Sequence, residues 1–571
     1  MVLLFGESAM QKKISKVEEE KDNSRYLRGT IREQLAQDTP CFDDSVNNIL
    51  KFHGIYQQDD RDFRQARDRQ GREKHFIFMV RMKIPGGKVT SDQYLKMDEL
   101  SDRYGNGTLR VTTRQGIQFH GVIKKNLKET MRALNRELIT TLGACGDIER
   151  NVVTCPAPLQ DRAQAQVQQY ARKISDQLLP KTKAYHEIWL NGEQAYSGEQ
   201  AAEIEPLYGK TYLPRKFKTA IAFPGDNCVD VYTHDIGLVA ITDEKGDLSG
   251  FNVLVGGGLG MTHRKPETHP LLAKPLGYVN KDKILPLAEG IVKVQRDHGN
   301  RENRMRARMK YLIEEKGIEW FYAAVKQQTG FDLEPMREMG WKETPDHLGW
   351  HEMGGGRFFC GIFVPNGRIQ DGAGKKLKSG FKKLVETFNP EIRFTPQQNI
   401  LFAGIPVSGK EEFEGILKDF SIRREAEISA IERWSMACPA LPTCGLALTE
   451  SERVLPGVIR ELEGVLTTLG LAGEHITVRM TGCPNGCSRP YTGEIGLVGS
   501  GLNTYALFLG GNFDGTRLNH LVSERVKGDE IVRSLVSVFE AFKSARASGE
   551  RFGDFCNRLG VQELQKLIEA Q

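Results

Sequence analysis

The chain has 571 residues, 39% hydrophobic and 27% charged, a globular composition that excludes a disordered or fibrous protein. Lys and Arg number 79 against 74 for Asp and Glu, and the resulting net charge of +5 is too small to coat nucleic acid, so cations matter only where they cluster. The length predicts roughly three or four domains of 100 to 200 residues each.

No run reaches the roughly 18 apolar residues that a membrane span needs, and the apolar stretch of MVLLFGESAM is too short for a signal peptide. A soluble, cytoplasmic protein with no membrane partner is expected. The first seventy residues are mostly polar and charged, with stretches such as VEEEKD and QQDDRD, and read as an extended arm. From His75 onward, apolar alternation, glycine turns and amphipathic helices predict a body of mixed helix and sheet.

That body repeats itself. TLRVTTRQGIQFHGV (108–122) overlays EIRFTPQQNILFAGI (391–405), and the same shift of 283 residues lays Cys155-Pro156-Ala157 on Cys438-Pro439-Ala440. Further on, IGLV at 236–239 matches IGLV at 495–498, and Cys228 falls on Cys487, both 259 apart. Each half runs in the same order: a glycine hairpin (IPGGK, VPNGR), a helix, an alternating strand, a CPA turn, a second cysteine turn and a strand closing on GG. The periodicity of SDQYLKMDELSDRYG and LKSGFKKLVETF predicts the two helices, with Tyr94 and Met97 inward in the first and Phe381, Leu384, Val385 and Phe388 in the second. An α+β fold with pseudo-two-fold symmetry follows, in which the matched strands of the two repeats are expected to pair.

Ten cysteines in so long a chain make no disulfide framework. Cys438 and Cys444 are separated by five intervening residues and Cys483 and Cys487 by three, with Pro439, Pro442, Pro484 and Gly486 keeping both stretches out of helix. Four thiolates on two turns suit either a four-iron cluster or a zinc ion, the wider gap being less usual for zinc, and buried inert thiols are the third reading. The other six, Cys41, Cys145, Cys155, Cys228, Cys360 and Cys556, are expected to be unligated.

The first half holds the complementary charge: Arg81, Arg110, Arg114, Arg150, Arg215, Lys216 and Lys218. Strand alternation would put Arg110, Thr112 and Arg114 on one side of one strand and Lys216 and Lys218 on one side of another. Such rows would hold a strongly anionic ligand, with arginine forks for carboxylates and lysines as point charges and proton sources. Crowding lowers the lysines' pKa.

Taken together, YLRGTI, KFHGIYQQDDRD, TTRQGIQFHG, ERNVVTC, LPRKFKT, SMACPALPTC, TGCPNGCSRPY and RFGDF resemble the sirohaem and 4Fe-4S nitrite and sulfite reductases, and within that family the haemoprotein (beta) subunits that act on sulfite. The resemblance covers nearly the whole chain and implies three domains around a central cofactor: an arm at 1–70, a paired ferredoxin-like repeat at 71–140 and 347–424, an anion and sirohaem domain at 141–346, and a cluster domain at 425–571. It implies that Cys438, Cys444, Cys483 and Cys487 ligate the cluster and that Cys487 bridges to the haem iron. Arg81, Arg150, Lys216 and Lys218 would surround sulfite. Arg110, Thr112, Arg114, Gln118, His120, Arg215, Gln398, Asn485 and Arg489 would hold the sirohaem. The implied activity is six-electron reduction of sulfite to sulfide in sulfate assimilation.

Several nucleotide and metal motifs almost occur and fail. VGGGLGM and VGSGLNT lack the last glycine of a dinucleotide loop, Glu411 in GIPVSGKE replaces the phosphate loop's Ser or Thr, and HEIWL lacks a second histidine. Electrons must then come from a separate donor, an NADPH-linked flavoprotein subunit or a ferredoxin, whose acidic surface would suit a positive chain. A nitrite reductase on the same fold is the nearest alternative, and a zinc-stabilised protein binding RNA phosphates the remote one.

Overall fold

The computed structural model describes residues 14–64, 71, 74–159, 162–181, 187–190, 193–197, 205–341, 344–372 and 374–570. The N-terminal MVLLFGESAM and His186 of HEIWL lie outside them.

The stretch read as an extended arm is folded onto the body. It forms helices Lys16–Asp22, Ile31–Leu35 and Asp44–Leu50, then strand Ile55–Asp59, which pairs antiparallel with Phe76–Arg81. Helices of 5 to 7 residues are too short to carry an amphipathic period, which is why the sequence concealed them. They are held by tertiary contacts: Leu27, Val46, Ile49, Leu50 and Phe52 are buried, and Lys21 donates to the Leu213 carbonyl at 2.7 Å while ion-pairing with Glu18 and Asp147.

Two five-stranded antiparallel sheets follow the repeat. The first has the order Ile55–Asp59, Phe76–Arg81, Ile117–Val122, Leu109–Val111, Arg368–Ile369; the second, Gly349–Gly354, Arg357–Ile362, Ile400–Pro406, Glu391–Phe394, Lys88–Val89. Each sheet is completed by a two-residue strand from the other repeat, Arg368 opposite Arg110 and Lys88 opposite Arg393. The matched strands Leu109–Val111 and Glu391–Phe394 therefore do not pair with each other. The hairpins redirect the chain instead: Gly87 (φ +74°) and Gly367 (φ +75°) pass so close to the opposite repeat that a Cβ would stand 2.4 Å from the Phe394 carbonyl oxygen and 2.3 Å from that of Val111.

The expected helices are Ser91–Tyr104, opened by a Thr90–Gln93 capping box and ending at Gly105, and Leu377–Phe388. Tyr94, Met97, Phe381, Leu384 and Val385 are buried in the core that both sheets share, and Phe388 packs at its edge.

A second pair of sheets carries the cysteine turns. Val153–Thr154, Thr219–Ala222, Ile236–Thr242, Leu248–Val255 and Lys274–Asn280 lie in space in that order, as do Ser435–Ala437, Val478–Thr481, Ile495–Gly501, Thr504–Leu509 and His520–Lys527. In both, the first two pairings are parallel and the last two antiparallel. Loops after the parallel strands of one sheet meet those of the other, and there the cysteines and cations converge.

Candidate functional site

Cys438 follows strand Ser435–Ala437, and Cys483 and Cys487 lie in the turns after strand Val478–Thr481. The Gly482 amide donates to Cys438 Sγ at 3.3 Å and Asn485 Nδ2 to Cys483 Sγ at 3.4 Å, amide contacts that favour thiolates. Burial, with the Cys487 charge second, pushes the Cys438 thiol well up and that of Cys483 to about 11. A bound cation would relieve both penalties. Among the described residues the only set of three or more Cys, His or carboxylate ligand atoms within 4.8 Å of one another is Cys155, Asp226, Cys228 and His347. Cys438, Cys444, Cys483 and Cys487 are not gathered into such a set.

Lys216 and Lys218 flank the buried Phe217 on the approach to strand Thr219–Ala222, facing away from the core as alternation predicts. Lys216 lines a cavity of about 260 Å³ with Arg215, Met261, Arg304, Arg308 and Asn485. Burial and then the charge of Lys218 hold its pKa well below the ordinary lysine value. Lys218 is lowered likewise, by burial and then by Arg114, Arg308 and Arg150, while Cys487 acts in the opposite direction. Burial also brings Arg114 and Arg215 down to about 10. Thr113 Oγ1 donates to the Cys487 carbonyl at 2.9 Å, tying the basic turn to the cysteine turn.

The remaining residues divide into two groups. Arg81 Nη1 donates to Cys145 Sγ at 2.7 Å, and with the Gln118 amide turned its oxygen accepts from Arg81 Nε at 2.9 Å. Arg150 holds the Gly146 carbonyl at 3.2 Å through both Nε and Nη2. Arg114 donates to the Asn151 carbonyl yet leaves Nε and Nη1 buried without partners; both ring nitrogens of His120 and Oε1 of Gln398 are equally orphaned. Such groups are costly unless a ligand completes them; the two free Arg114 donors suit a carboxylate, whereas Gln398 Oε1 needs a donor. Arg110 is instead committed within the protein, to Glu452 at 3.0 Å and the Ala437 carbonyl at 2.8 Å, and Arg489 donates through Nη1 and Nη2 to the Val229 and Pro396 carbonyls at 3.3 and 3.0 Å while ion-pairing with Asp230.

The single basic row expected at 110–114 is not one strand face. The strand ends at Val111. Thr112 then accepts from the amides of Arg114 (3.3 Å) and Gly116 (3.1 Å), Gln115 adopts φ +57°, and the turn sends Arg114 toward Asn151 while Arg110 points to Glu452. Sequence reasoning also passed over Arg304, Arg308 and Lys310. Arg308 is anchored on Asp235 at 2.8 Å, and Lys310 donates to the Gly258 carbonyl at 2.9 Å and is lowered to about 7 by burial. Their dense run in RMRARMK was the available signal. Lys216, Lys218, Arg114 and Arg308 are drawn into the interior rather than arrayed on an exposed surface, which does not favour the RNA-binding alternative.

Profiles of the nitrite and sulphite reductase 4Fe-4S domain and of the nitrite/sulfite reductase ferredoxin-like half domain match residues 169–333 and residues 69–137 and 351–420. The chain is 44% identical to a sulfite reductase (ferredoxin) of Synechococcus elongatus over 99% of its length and 92% of the relative's. It is 44% identical to a sulfite reductase (NADPH) hemoprotein beta-component of a Paenibacillus species, covering 96% of this chain and 95% of that one. The corresponding protein of Methylorubrum populi is 47% identical over 94% and 88% of the two chains. In fold it resembles the Mycobacterium tuberculosis NirA protein, with a TM-score of 0.79 at 23% identity over 97% and 98% of the chains.

Proposed function

The chain belongs to the nitrite and sulfite reductase family, and from that premise we propose that it is the haemoprotein that reduces sulfite to sulfide, carrying sirohaem and a 4Fe-4S cluster and drawing six electrons from a separate donor. The observation that carries this reading is that Thr113 Oγ1 ties the basic turn to the Cys487 carbonyl at 2.9 Å, beside a Lys218 whose ammonium is weakened by burial and by Arg114, Arg308 and Arg150 while Cys487 opposes them.

Cys438, Cys444, Cys483 and Cys487 would hold the cluster, and Cys487, the exposed one of the four, would be the thiolate most open to the haem. When bound, the two groups supply the one-electron chemistry. The orphaned atoms of Arg114, His120 and Gln398, with Thr112, Gln118, Arg215 and Asn485, would hold the macrocycle and its carboxylates. Arg110 and Arg489 would act there by positioning their neighbours through Glu452 and Asp230.

Arg81, Arg150, Lys216 and Lys218 would surround the anion, offset its charge and stabilise the oxyanion character that grows as oxygens depart. Lys216 and Lys218, whose ammonium forms are weakened by burial and crowding, would give protons to those oxygens so that they leave as water. Arginines cannot do this, which explains why both residue types occupy one cage.

Relatives at equal identity are a ferredoxin-linked and an NADPH-linked enzyme; an acidic donor of either class suits the net charge of +5. Among the described residues no helix is long and apolar enough to cross a membrane, and a cytoplasmic site of action fits this. The test is the absorption spectrum of protein made with sirohaem synthesis available, before and after reduction, with turnover of sulfite and of nitrite compared. Haem bands, about four irons per cluster and faster sulfite turnover are expected. A colourless protein from that preparation would overturn the reading, and faster nitrite turnover would reassign the substrate.

A further inference from the structure

The duplication leaves a counterpart of the cluster site in the first half. Cys155 follows strand Val153–Thr154 as Cys438 follows Ser435–Ala437, and Cys228 occupies the position of Cys487. Pro224 stands where Cys483 stands in the other half, 259 residues on, so the first half lacks the sulfurs for a cubane. Both thiols were expected to be unligated for want of companions. The fold supplies the companions from elsewhere: Asp226 from the same loop and His347 from the segment just before strand Gly349–Gly354.

The four ligand atoms lie within 4.8 Å of one another, with His347 Nε2 3.3 Å from Cys155 Sγ and 3.4 Å from Asp226 Oδ2. In a tetrahedral zinc shell, bonds of about 2.0 Å to N and O and 2.3 Å to S give ligand-to-ligand edges of roughly 3.3 to 3.8 Å. Two edges are already there, and closing the rest needs less than the width of one bond. The second oxygen of Asp226 is occupied by the Cys228 amide at 2.9 Å, which fixes the carboxylate for one-oxygen coordination. The cysteine carbonyls are also held, Cys155 by Gln168 Nε2 at 2.9 Å and Cys228 by Gln397 Nε2 at 3.1 Å. Both thiols and the imidazole are at most 4% exposed. The set is closed, as structural zinc sites are, without the open position of a catalytic one.

We propose that Cys155, Asp226, Cys228 and His347 bind one zinc ion, a second metal centre placed by the pseudo-two-fold axis opposite the iron-sulfur site. Two thiolates, an imidazole and a carboxylate are the mixed soft and borderline donors that Zn²⁺ accepts in tetrahedral geometry. The ligands come from three distant segments, so the ion staples the start of the second ferredoxin-like sheet to the first cysteine-bearing sheet. It takes no part in electron transfer, since zinc has one oxidation state here.

The test uses full-length protein expressed with sirohaem synthesis and purified without metal-affinity resin. Elemental analysis is expected to find one zinc per chain besides the iron, and zinc-edge X-ray absorption two sulfurs and two lighter ligands. His347→Ala and Cys228→Ser are expected to lose at least nine-tenths of the zinc with haem absorbance and iron content unchanged. Wild-type protein without zinc above trace, or zinc retained in both variants, would overturn the proposal. The wild-type absorption edge needs no variant, so misfolding of either one leaves the test decisive, and iron and haem are read separately.

Discussion

Asp230 and Arg489 occupy equivalent positions of the duplicated unit, 259 residues apart, and form an ion pair, Arg489 Nε standing 2.8 Å from Asp230 Oδ2. A contact between equivalent residues lies on the pseudo-axis. Both have left-handed backbone, φ +50° and +58°, and each opens a short helical turn. The repeat conserved the bend and diverged the side chain into opposite charges, which turned a symmetric seam into an ion pair. Arg479 Nη1 reaches the same oxygen at 2.8 Å, so one carboxylate neutralises two buried guanidiniums.

Removing that carboxylate strands both cations. Asp230→Asn is expected to destabilise the protein by about 3 to 5 kcal/mol, the usual cost of breaking a buried pair from one side. The denaturation midpoint measures it, and a loss under about 1 kcal/mol would show that the seam is held by other contacts.

Lys218→Ala is expected to retain haem absorbance and iron while sulfite turnover falls by about 10² to 10⁴, the range for losing a positioned proton donor. Lys218→Arg should not restore the rate, because a guanidinium keeps its proton. Normal turnover by either variant would remove the lysine from the proton path. Because the Lys218 pKa is held down, wild-type turnover should fall as pH rises through that lowered value, well before an ordinary lysine would titrate.

The duplication, the alternation around Phe217 and the helix faces were legible because each is a local period or a self-match. The hidden parts depend on tertiary context. No local pattern shows that Arg110 is spent on Glu452, that Arg114 leaves a turn rather than a strand, or that His347 reaches Cys155 across 192 residues. The strand exchange was concealed for a related reason: two residues at Lys88–Val89 are too few to show a period, and only the hairpin turn decides which sheet they join.

That exchange gives a symmetric expectation. Gly87→Ala and Gly367→Ala each place a Cβ under 2.5 Å from a carbonyl oxygen of the opposite repeat, at positive φ. Each is expected to cost at least about 1 to 3 kcal/mol, and the two costs should agree if the hairpins are equivalent. A neutral effect at one of them, read by the denaturation midpoint, would show that its hairpin can shift.

Cluster ligation separates the two cysteine sets. Cys444→Ser is expected to lose most of the cluster's iron and labile sulfide, whereas Cys155→Ser keeps both, since Cys155 lies in the other half. Iron and sulfide assays decide it, and iron retained in Cys444→Ser would exclude Cys444 as a ligand.

Glu494 gives a pH dependence whose sign is fixed. Burial raises its carboxyl to about 7, although it accepts from the Thr477 amide at 2.9 Å and the Gly553 amide at 3.0 Å. In the unfolded chain it titrates near 4.5, so between these values the folded state binds the extra proton and stability falls as pH rises. The whole effect is on the order of 3 kcal/mol, complete above pH 7. Glu149 is raised to about 7 as well and slopes the same way, so a comparison isolates Glu494. Glu494→Gln leaves one backbone amide facing an amide, which costs stability equally at all pH, but should flatten the decline of the denaturation midpoint between pH 5 and 7.5. An unchanged slope would mean that the carboxylate is ionised in the folded protein at pH 5.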